Sequence, residues 1–334
     1  MVFKRVKTMF SKPTKDLHRL KIALEKGQYQ CESCGFEEAL ATLPALEFRK
    51  CPKCGFNNFI PYHIHDFLLY APLGIGGYSS IYKAIRKEEE KSLFAVKLLR
   101  TDREFDESEV QAFLYEAEVH RSVTAHPHIV DYVEHGELEG ERYYAIRFIP
   151  GTTVKKIVEE QGRISEIDTA TWMLQVLEAL IHIRNHGYLY RDVSPSNIMI
   201  QDAGRNACLI DFGLALPLDE AEREKAQSFV EGTAEYIPPE RIQGRGEDER
   251  SVIYSLGLLM FFMLKGESYI KAGDQKASAL KHVQGLRVAY NERLLPDNSE
   301  PLAHLVGRMI ASNPEERPET FEAMTKLLGA MAGA

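Results

Sequence analysis

The 334-residue sequence lacks any hydrophobic run long enough to span a membrane. Its longest apolar run, Ile253 to Leu264, has about 12 residues, whereas a membrane-spanning helix needs about 20. The first residues also lack the uninterrupted apolar segment of a secretion signal. These absences predict a cytoplasmic protein with no transmembrane segment.

Positive charge is scarce over most of the chain, which argues against a broad nucleic-acid-binding surface. The net charge is −8, and residues 1–27 carry eight Lys and Arg against two acids, which leaves about −14 for the remainder. Residues 1–27 therefore form a basic arm. Only this arm is a candidate for contact with RNA or acidic lipid.

Cysteine is also scarce, and four of the five cysteines lie in two Cys-x-x-Cys pairs that are each followed by glycine. Sixteen residues separate the pair Cys31 and Cys34 from the pair Cys51 and Cys54. Without a secretion signal, this pattern favours a metal over disulfides. Four thiolates complete a tetrahedral zinc site and leave no open position, so the predicted role is structural. Residues 28–60 resemble a zinc ribbon, with a core of its own that depends on the metal.

Two histidines, His63 and His65, follow this segment directly. They are interpreted as linker or strand residues with no metal role. The alternative is that the two histidines serve as spare zinc ligands.

A second group of polar residues indicates chemistry on a polyphosphate. Asn197 follows Asp192 by five positions, and Asp211 precedes a Phe-Gly turn. Asp192 is suited to accept a proton from a hydroxyl, while Asn197 and Asp211 offer oxygen ligands to Mg²⁺. The apolar runs 198–200 and 207–210 predict a hairpin that holds both metal ligands on a rigid base.

These residues resemble the catalytic motifs of eukaryotic-type Ser/Thr protein kinases, with Tyr190 in place of the histidine before Arg-Asp. The resemblance continues to the C-terminus. It implies a two-lobed α+β kinase fold over residues 66–333, with an N-lobe at about 66–148 and a C-lobe at about 149–333. The implied reaction transfers the γ-phosphate of Mg-ATP to Ser or Thr hydroxyls of protein substrates. The zinc ribbon would be an interaction or regulatory module with a protein or RNA partner.

The resemblance also implies the residues that contact the nucleotide. Lys97, at the end of an apolar strand, would hold the α- and β-phosphates and pair with Glu116. Glu118 is the competing choice, about 200° away on the same predicted helix. Thr233 would hydrogen-bond Asp192. The remaining residues expected around ATP are Gly74, Ile75, Gly76, Gly77, Ser79, Ile81 and Ala95 from the glycine-rich loop region, and Ile146, Arg147 and Ile149 from the hinge.

Three residues depart from the family pattern. Ser194 stands where Ser/Thr kinases have a lysine that steadies the γ-phosphate, Val252 replaces an aspartate that anchors the catalytic loop backbone, and Tyr190 replaces histidine. The base, the metal ligands and the Lys-Glu pair are all retained, which favours an active enzyme. The main alternative is a pseudokinase scaffold that binds nucleotide without transferring phosphate.

Two further alternatives concern the substrate and the ribbon. A kinase of small molecules is disfavoured because residues 232–240 match the family's peptide-substrate loop. A protein whose ribbon binds nucleic acid as its main activity is the other alternative.

The resemblance further implies a regulatory site and a structural ion pair. Arg191 would receive a phosphate from the activation segment, and Ser228 is the only hydroxyl side chain in residues 214–231. Ser228 is therefore the predicted activating position. Glu240 is expected to pair with Arg317 in the interior. The alternative to phosphorylation is a negative charge already present at Glu222, Glu224 or Glu231.

Overall fold

The computed structural model describes residues 24–76, 78–87, 89, 92–100, 106–202, 206–223, 232–270, 282–283, 295 and 297–332. The chain divides into two compact units. The first unit comprises Met1–Thr101 and Gly136–Tyr143, and the second comprises Asp102–His135 and Tyr144–Ala334. Within the described residues, no helix is both long and apolar enough to cross a membrane.

The first unit opens with two short antiparallel hairpins in the predicted ribbon. Their strands are β1 (Gln28–Gln30), β2 (Glu37–Ala39), β3 (Phe48–Lys50) and β4 (Asn57–Phe59), with β1 paired to β2 and β3 paired to β4. The turn of each hairpin is one Cys-x-x-Cys-Gly segment. The two cysteine pairs are thus carried by equivalent turns.

A six-stranded sheet follows the ribbon. Its order is β5-β6-β7-β8-β10-β9, and the part of the last two strands within Gly136–Tyr143 belongs to the first unit. Phe67 and Phe94 are buried and pack edge to face with ring centroids 5.3 Å apart. The strand bounds are β5 (Tyr62–Ile64), β6 (Phe67–Ile75), β7 (Ser79–Arg86), β8 (Leu93–Leu99), β9 (Tyr132–Leu138) and β10 (Glu141–Arg147).

The ribbon and the sheet share hydrophobic packing. Leu24 and the ribbon residue Leu40 belong to one cluster with Leu68 and Ile85 of the sheet. The rings of Phe59 in the ribbon and Tyr82 in β7 lie 6.0 Å apart. A module of about thirty residues buries little apolar surface by itself, and the ribbon adds packing on the sheet to a small cluster of its own. That ribbon cluster consists of Tyr29, Leu43 and Ile60.

The second unit is mostly helical and surrounds a large apolar core. Short strands carry the candidate catalytic residues: β11 (Gly151–Thr153), β12 (Tyr188–Leu189), β13 (Ile198–Gln201), β14 (Ala207–Leu209) and β15 (Leu216–Pro217). The helices are α1 (Glu107–Val123), α2 (Val154–Gln161), α3 (Glu166–Asn185), α4 (Leu218–Arg223), α5 (Pro239–Ile242), α6 (Glu249–Lys265), α7 (Glu300–Met309) and α8 (Phe321–Ala332).

Side-chain caps determine where two predicted helices begin. The Asp106 side chain accepts a hydrogen bond from the Glu109 amide and forms a capping box, so α1 starts at Glu107. Ser165 caps α3 through the Asp168 amide, so this helix begins at Glu166. Five apolar residues at helical spacing form its core stripe, and each of them is buried: Trp172, Val176, Leu177, Leu180 and Ile183.

The expected ion pair between Glu240 and Arg317 is confirmed. Arg317 Nη1 donates to Glu240 Oε1 at 2.6 Å and Arg317 Nη2 donates to Oε2 at 3.1 Å. Ser251 Oγ adds a third hydrogen bond to Oε1 at 2.6 Å. Both charged side chains are nearly inaccessible to water, with exposed fractions of 0% for Arg317 and 4% for Glu240. Each side chain of the pair therefore compensates the buried charge of the other.

Replacing Glu240 should destabilise the protein strongly, because Arg317 would remain buried without its carboxylate. We expect Glu240→Ala to lower the free energy of unfolding by about 3–5 kcal/mol in urea denaturation. Glu315→Ala is the matched control, since Glu315 also pairs with an arginine but is 72% exposed. Its expected cost is below about 1 kcal/mol, and equal losses in the two variants would contradict the prediction.

Candidate active site and metal centre

The predicted hairpin is confirmed, and it brings the two candidate metal ligands together. Strands β13 and β14 pair antiparallel with Ile198 opposite Leu209. Asn197 lies just before β13, and Asp211 lies two residues after β14. The Ile210 amide donates to the Asn197 carbonyl at 3.1 Å, which fixes the two ligand positions at the same end of the hairpin.

Asp192 is held by two side chains. Asn197 Nδ2 donates to Asp192 Oδ2 at 2.7 Å and to the Asp192 carbonyl at 3.1 Å. Thr233 Oγ1 donates to Asp192 Oδ1 at 3.4 Å, which is the expected hydrogen bond. Because its nitrogen serves Asp192, Asn197 presents its Oδ1 as the oxygen available to a cation.

The charge state of Asp192 is tuned by its surroundings. Burial of the carboxyl and the nearby charge of Asp211 raise the pKa of Asp192 above its ordinary value. The hydrogen bond from Asn197 and the charge of Arg241 act in the opposite direction. A carboxylate with a raised pKa is a better proton acceptor, which suits a general base.

Glu116 of α1 lies beside the Asp-Phe-Gly turn. The Gly213 amide donates to Asp211 Oδ1 at 3.0 Å. A Cβ atom at Gly213 would stand 3.3 Å from Asp211 Oδ1 and 3.4 Å from Glu116 Oε2, so both carboxyl groups lie close to this glycine. Glu116 is buried, whereas Glu118 is exposed and binds Arg121. These positions favour Glu116 over Glu118 as the family's ion-pair glutamate.

His120 is a functional candidate that the sequence reasoning missed. Its ring stacks on Phe212 of the Asp-Phe-Gly turn with centroids 4.4 Å apart. Nε2 donates to the Val130 carbonyl at 2.6 Å, and Nδ1 accepts from the Tyr144 hydroxyl. The Tyr190 ring also packs against Phe212, edge to face, with the two ring centroids 5.6 Å apart. The available signal was spacing, because a residue four positions after Glu116 lies on the same helix face.

The glycine-rich loop joins two paired strands of the first unit. Gly74 pairs with Ile81, and the Gly76 amide donates to the Ser79 carbonyl at 2.8 Å. Ile81 stands opposite Lys97 in the pairing of β7 with β8. Paired residues of adjacent strands project to the same side of a sheet, so Ile81 and Lys97 share one face, together with Ala95. Ile75 is exposed, and Gly77 lies outside the described residues.

The predicted hinge residues lie in the second unit. Ile146 and Ile149 pack in one small cluster with Val130, Cys208 and Ile210. The Arg147 amide donates to the Asp131 carbonyl at 2.9 Å. The cluster also contains Met199, a residue that the sequence reasoning treated only as part of a strand. In β13, Met199 points away from its buried neighbours, so alternation along the strand was the signal.

The four ribbon cysteines converge on one point. Their Sγ atoms all lie within 4.8 Å of one another, and the closest pairs, Cys31 with Cys54 and Cys34 with Cys51, are 3.6 and 3.7 Å apart. A tetrahedral zinc with bonds of about 2.3 Å needs sulfurs about 3.8 Å apart, whereas a disulfide needs about 2.05 Å. Asn58 Nδ2 donates to Cys31 Sγ at 3.6 Å, as an outer support for a thiolate.

The two cysteine turns have the same hydrogen bonds. The Cys31 amide donates to the Phe36 carbonyl at 2.8 Å, and the Gly35 amide donates to the Cys31 carbonyl at 2.9 Å. The second turn repeats both bonds at the same distances from Cys51. Gly35 and Gly55 have φ of 70° and 73°, a conformation that favours glycine. This local geometry explains why glycine follows each pair.

Arg191 does not have the environment that was expected. It is buried and its guanidinium binds Glu247, a residue to which the sequence reasoning gave no role. Ser228, the predicted phosphate site, lies outside the described residues, as do Glu224 and Glu231. Glu247 is thus the observed acidic partner of Arg191.

Comparison with known proteins identifies the family. The protein kinase domain model matches residues 67–328. The chain is 33% identical over 231 residues to serine/threonine-protein kinase PknB of Mycolicibacterium smegmatis, which covers 67% of this chain and 36% of that protein. It is 29% identical over 212 residues to serine/threonine-protein kinase PrkC of Bacillus subtilis, at 64% and 32% coverage. The probable serine/threonine-protein kinase PknB of Lactococcus lactis is 28% identical over 212 residues, at 64% and 33% coverage.

The chain therefore belongs to the protein kinase family, and the relatives named above are Ser/Thr kinases. The predicted α+β kinase fold is confirmed, and the cysteine cluster fits a small zinc-ribbon-like domain before it. The chain spans about a third of the length of the curated relatives it matches.

The buried His120 should make stability depend on pH. Burial lowers the pKa of His120 from 6.5 to about 4, so the folded protein keeps the ring neutral while the unfolded chain takes up a proton below 6.5. The stabilisation is fully present above pH 6.5 and is lost as the pH falls toward 4. His120→Gln can keep both hydrogen bonds without titrating. Between pH 7 and 5, wild type should lose about 2 kcal/mol more unfolding free energy than this variant.

Urea denaturation at the two pH values measures this difference. The exposed His304 offers a control, because His304→Gln should lose as much stability as wild type. Identical losses in wild type and His120→Gln would contradict the prediction.

Proposed function

We propose that this protein is an active Ser/Thr protein kinase that transfers the γ-phosphate of Mg-ATP to protein hydroxyls. The observation that carries this proposal is the arrangement of Asp192, which is bound by Asn197 and Thr233 and has a raised pKa. Asp192 accepts the proton of the substrate hydroxyl. Asn197 and Thr233 orient its two carboxylate oxygens, so that the base is positioned before substrate arrives.

The remaining catalytic roles fit the donor atoms that these residues present. Asn197 Oδ1 and the Asp211 carboxylate are hard oxygen ligands, as Mg²⁺ prefers. When bound, Mg²⁺ neutralises charge on the phosphate oxygens. In the first unit, Lys97 is assigned to the α- and β-phosphates, the glycine-rich loop to the phosphates, and Ile81 and Ala95 to adenine. In the second unit, Glu116 is assigned as the ion-pair glutamate, and the hinge backbone at Arg147 and Ile149 is assigned to adenine.

A nucleotide-binding pseudokinase is the second candidate, and one observation favours it. Ser194, which replaces a lysine of the family pattern, is completely buried, and its Oγ makes no hydrogen bond to other described residues. This position therefore offers neither a charge nor an exposed donor to a phosphate. Retention of Asp192, Asn197 and Asp211 in one arrangement favours transfer over binding alone.

The ribbon would hold one structural Zn²⁺ through Cys31, Cys34, Cys51 and Cys54. Its spacing of sulfur atoms and the matched turns support this assignment. We propose that the ribbon serves as an interaction or regulatory module for a cytoplasmic kinase. A protein or RNA partner would bind this module or the basic arm.

The catalytic roles predict different defects for two variants. Asp192→Asn should lower phosphate transfer by about 10²–10⁴-fold while leaving nucleotide binding nearly unchanged, because it removes only the base. Asp211→Ala should abolish transfer and weaken Mg-ATP binding, because it removes a metal ligand. Transfer from labelled ATP and calorimetric titration with Mg-ATP measure the two effects.

The exposed Asp219 provides the control, and Asp219→Asn should match wild type. Phosphosite mapping on a protein substrate would identify the acceptor hydroxyls. Wild-type transfer rates in both active-site variants would refute the assigned roles. Tight Mg-ATP binding without transfer by the wild-type protein would support the pseudokinase.

The zinc assignment predicts one zinc per chain. Cys31→Ser should lower the zinc content and also destabilise the sheet of the first unit, because ribbon and sheet share a hydrophobic cluster. Cys208→Ser is the matched control, since Cys208 is buried but lies outside the cysteine cluster. Elemental analysis and thermal unfolding measure both effects. A disulfide between ribbon cysteines, or a protein without zinc, would contradict the assignment.

A further inference from the structure

Arg191, the residue before the proposed base, forms a buried cluster with two other charged side chains, Arg241 and Glu247. Glu247 Oε1 accepts from Arg191 Nε at 2.8 Å and from Arg191 Nη2 at 2.6 Å. Arg241 binds the same carboxylate, from Nε to Oε1 at 2.8 Å and from Nη2 to Oε2 at 2.8 Å. The side chains are 7% exposed for each arginine and 1% exposed for Glu247. Both guanidinium groups thus share one carboxylate away from water.

The cluster reaches the backbone of the catalytic loop. Arg241 Nη2 donates to the Arg191 carbonyl oxygen at 2.9 Å, directly before Asp192. Arg241 also approaches the other side of the base, because a Cβ atom at Gly232 would stand 3.1 Å from Arg241 Nη1. Gly232 precedes Thr233, which donates to Asp192. Arg241 therefore binds the backbone directly before the proposed base and lies close to Gly232, directly before Thr233.

Glu247 itself is fixed by the segment that follows the Asp-Phe-Gly turn. The Glu247 amide donates to the Ala221 carbonyl of α4 at 2.9 Å. The backbone packs so closely here that a Cβ atom at Gly246 would lie 2.0 Å from the Glu222 carbonyl oxygen. Only glycine fits at that position. The carboxylate that holds Arg191 is thus tied to the activation segment by main-chain contacts.

The cluster accounts for a departure noted in the sequence. Val252, in α6, is buried and has no polar side-chain atom to bind the catalytic loop backbone. Arg241 provides a backbone hydrogen bond in this region, and Glu247 provides a fixed negative charge. Burial alone would raise the pKa of Glu247, but the two guanidinium groups outweigh burial and lower it, so the carboxylate stays ionised at neutral pH.

We propose that Glu247 and Arg241 are positioning residues that hold the catalytic loop in its working conformation without a phosphate on the activation segment. Glu247 occupies the guanidinium of Arg191 from within the chain, and Arg241 anchors the loop backbone that Val252 cannot bind. A phosphate at Ser228 is then not required for activity. This inference rests on the proposed kinase activity for its kinetic test, but not for its test by hydrogen exchange.

The kinetic test uses the 334-residue chain treated with phosphatase, with myelin basic protein as acceptor. Treated wild type and Ser228→Ala should keep the kcat of untreated wild type. Glu247→Gln should lower kcat at least tenfold while changing the KM for ATP less than about twofold, because the nucleotide ligands are untouched.

Glu249→Gln is the matched control. Glu249 also binds an arginine, Arg184, but neither residue contacts the catalytic loop in the hydrogen bonds described. This variant should keep the wild-type kcat. A wild-type enzyme that loses activity with phosphatase and regains it on incubation with ATP would overturn the proposal. So would a Glu247→Gln variant with wild-type kcat. The phosphatase comparison needs no variant, so it decides the question even if Glu247→Gln does not fold.

Hydrogen exchange provides a readout that does not depend on catalysis. Amides of residues 190–197 should exchange at least tenfold faster in Glu247→Gln than in wild type, while Glu249→Gln should leave them unchanged. Uniformly faster exchange across the second unit would mean that Glu247 only stabilises the fold, and would overturn the proposal. Absence of transfer by wild type under every condition would refute the proposed function, while the exchange pattern would still judge the positioning role.

Discussion

Desolvation of charge is the constraint on which the second unit depends. A charged group removed from water is tolerated only if other groups satisfy it. Arg317 forms an ion pair with the buried Glu240, and Glu247 forms ion pairs with the buried Arg191 and Arg241. The two clusters differ in what they touch. The first joins residues 77 positions apart in the sequence, whereas the second bonds to the main chain beside Asp192. The same requirement therefore stabilises the fold in one place and aligns the proposed base in the other.

The parts that could be predicted from sequence are those set by local spacing. The cysteine turns and the β13–β14 hairpin depend on residues within about ten positions of one another. The missed contacts join distant residues. Arg191 and Glu247 are 56 positions apart, and Glu247 begins a run of charged residues that is typical of a solvated surface. Sequence shows that Arg191 needs a partner, but only tertiary packing selects it.

The ring environment of Phe212 shows a related limit. The sequence shows Tyr190 in place of a histidine. In the structure, both Tyr190 and His120 pack against Phe212. Considered alone, each of these two residues is only an unusual polar aromatic side chain in the core. Together they form a polar-edged aromatic stack in which His120 also binds Val130 and Tyr144. A sequence interpretation that considers one position at a time does not reveal that two such residues depend on each other.

The packing of the ribbon on the sheet has a consequence for solubility. Leu68 and Ile85 are buried partly by Leu24 and Leu40, and the ribbon that carries Leu40 is too small to persist without its metal. Chelation would uncover an apolar face on a strand surface, which is a form of exposure that promotes self-association. The metal held by the cysteine cluster would therefore also protect the protein from aggregation.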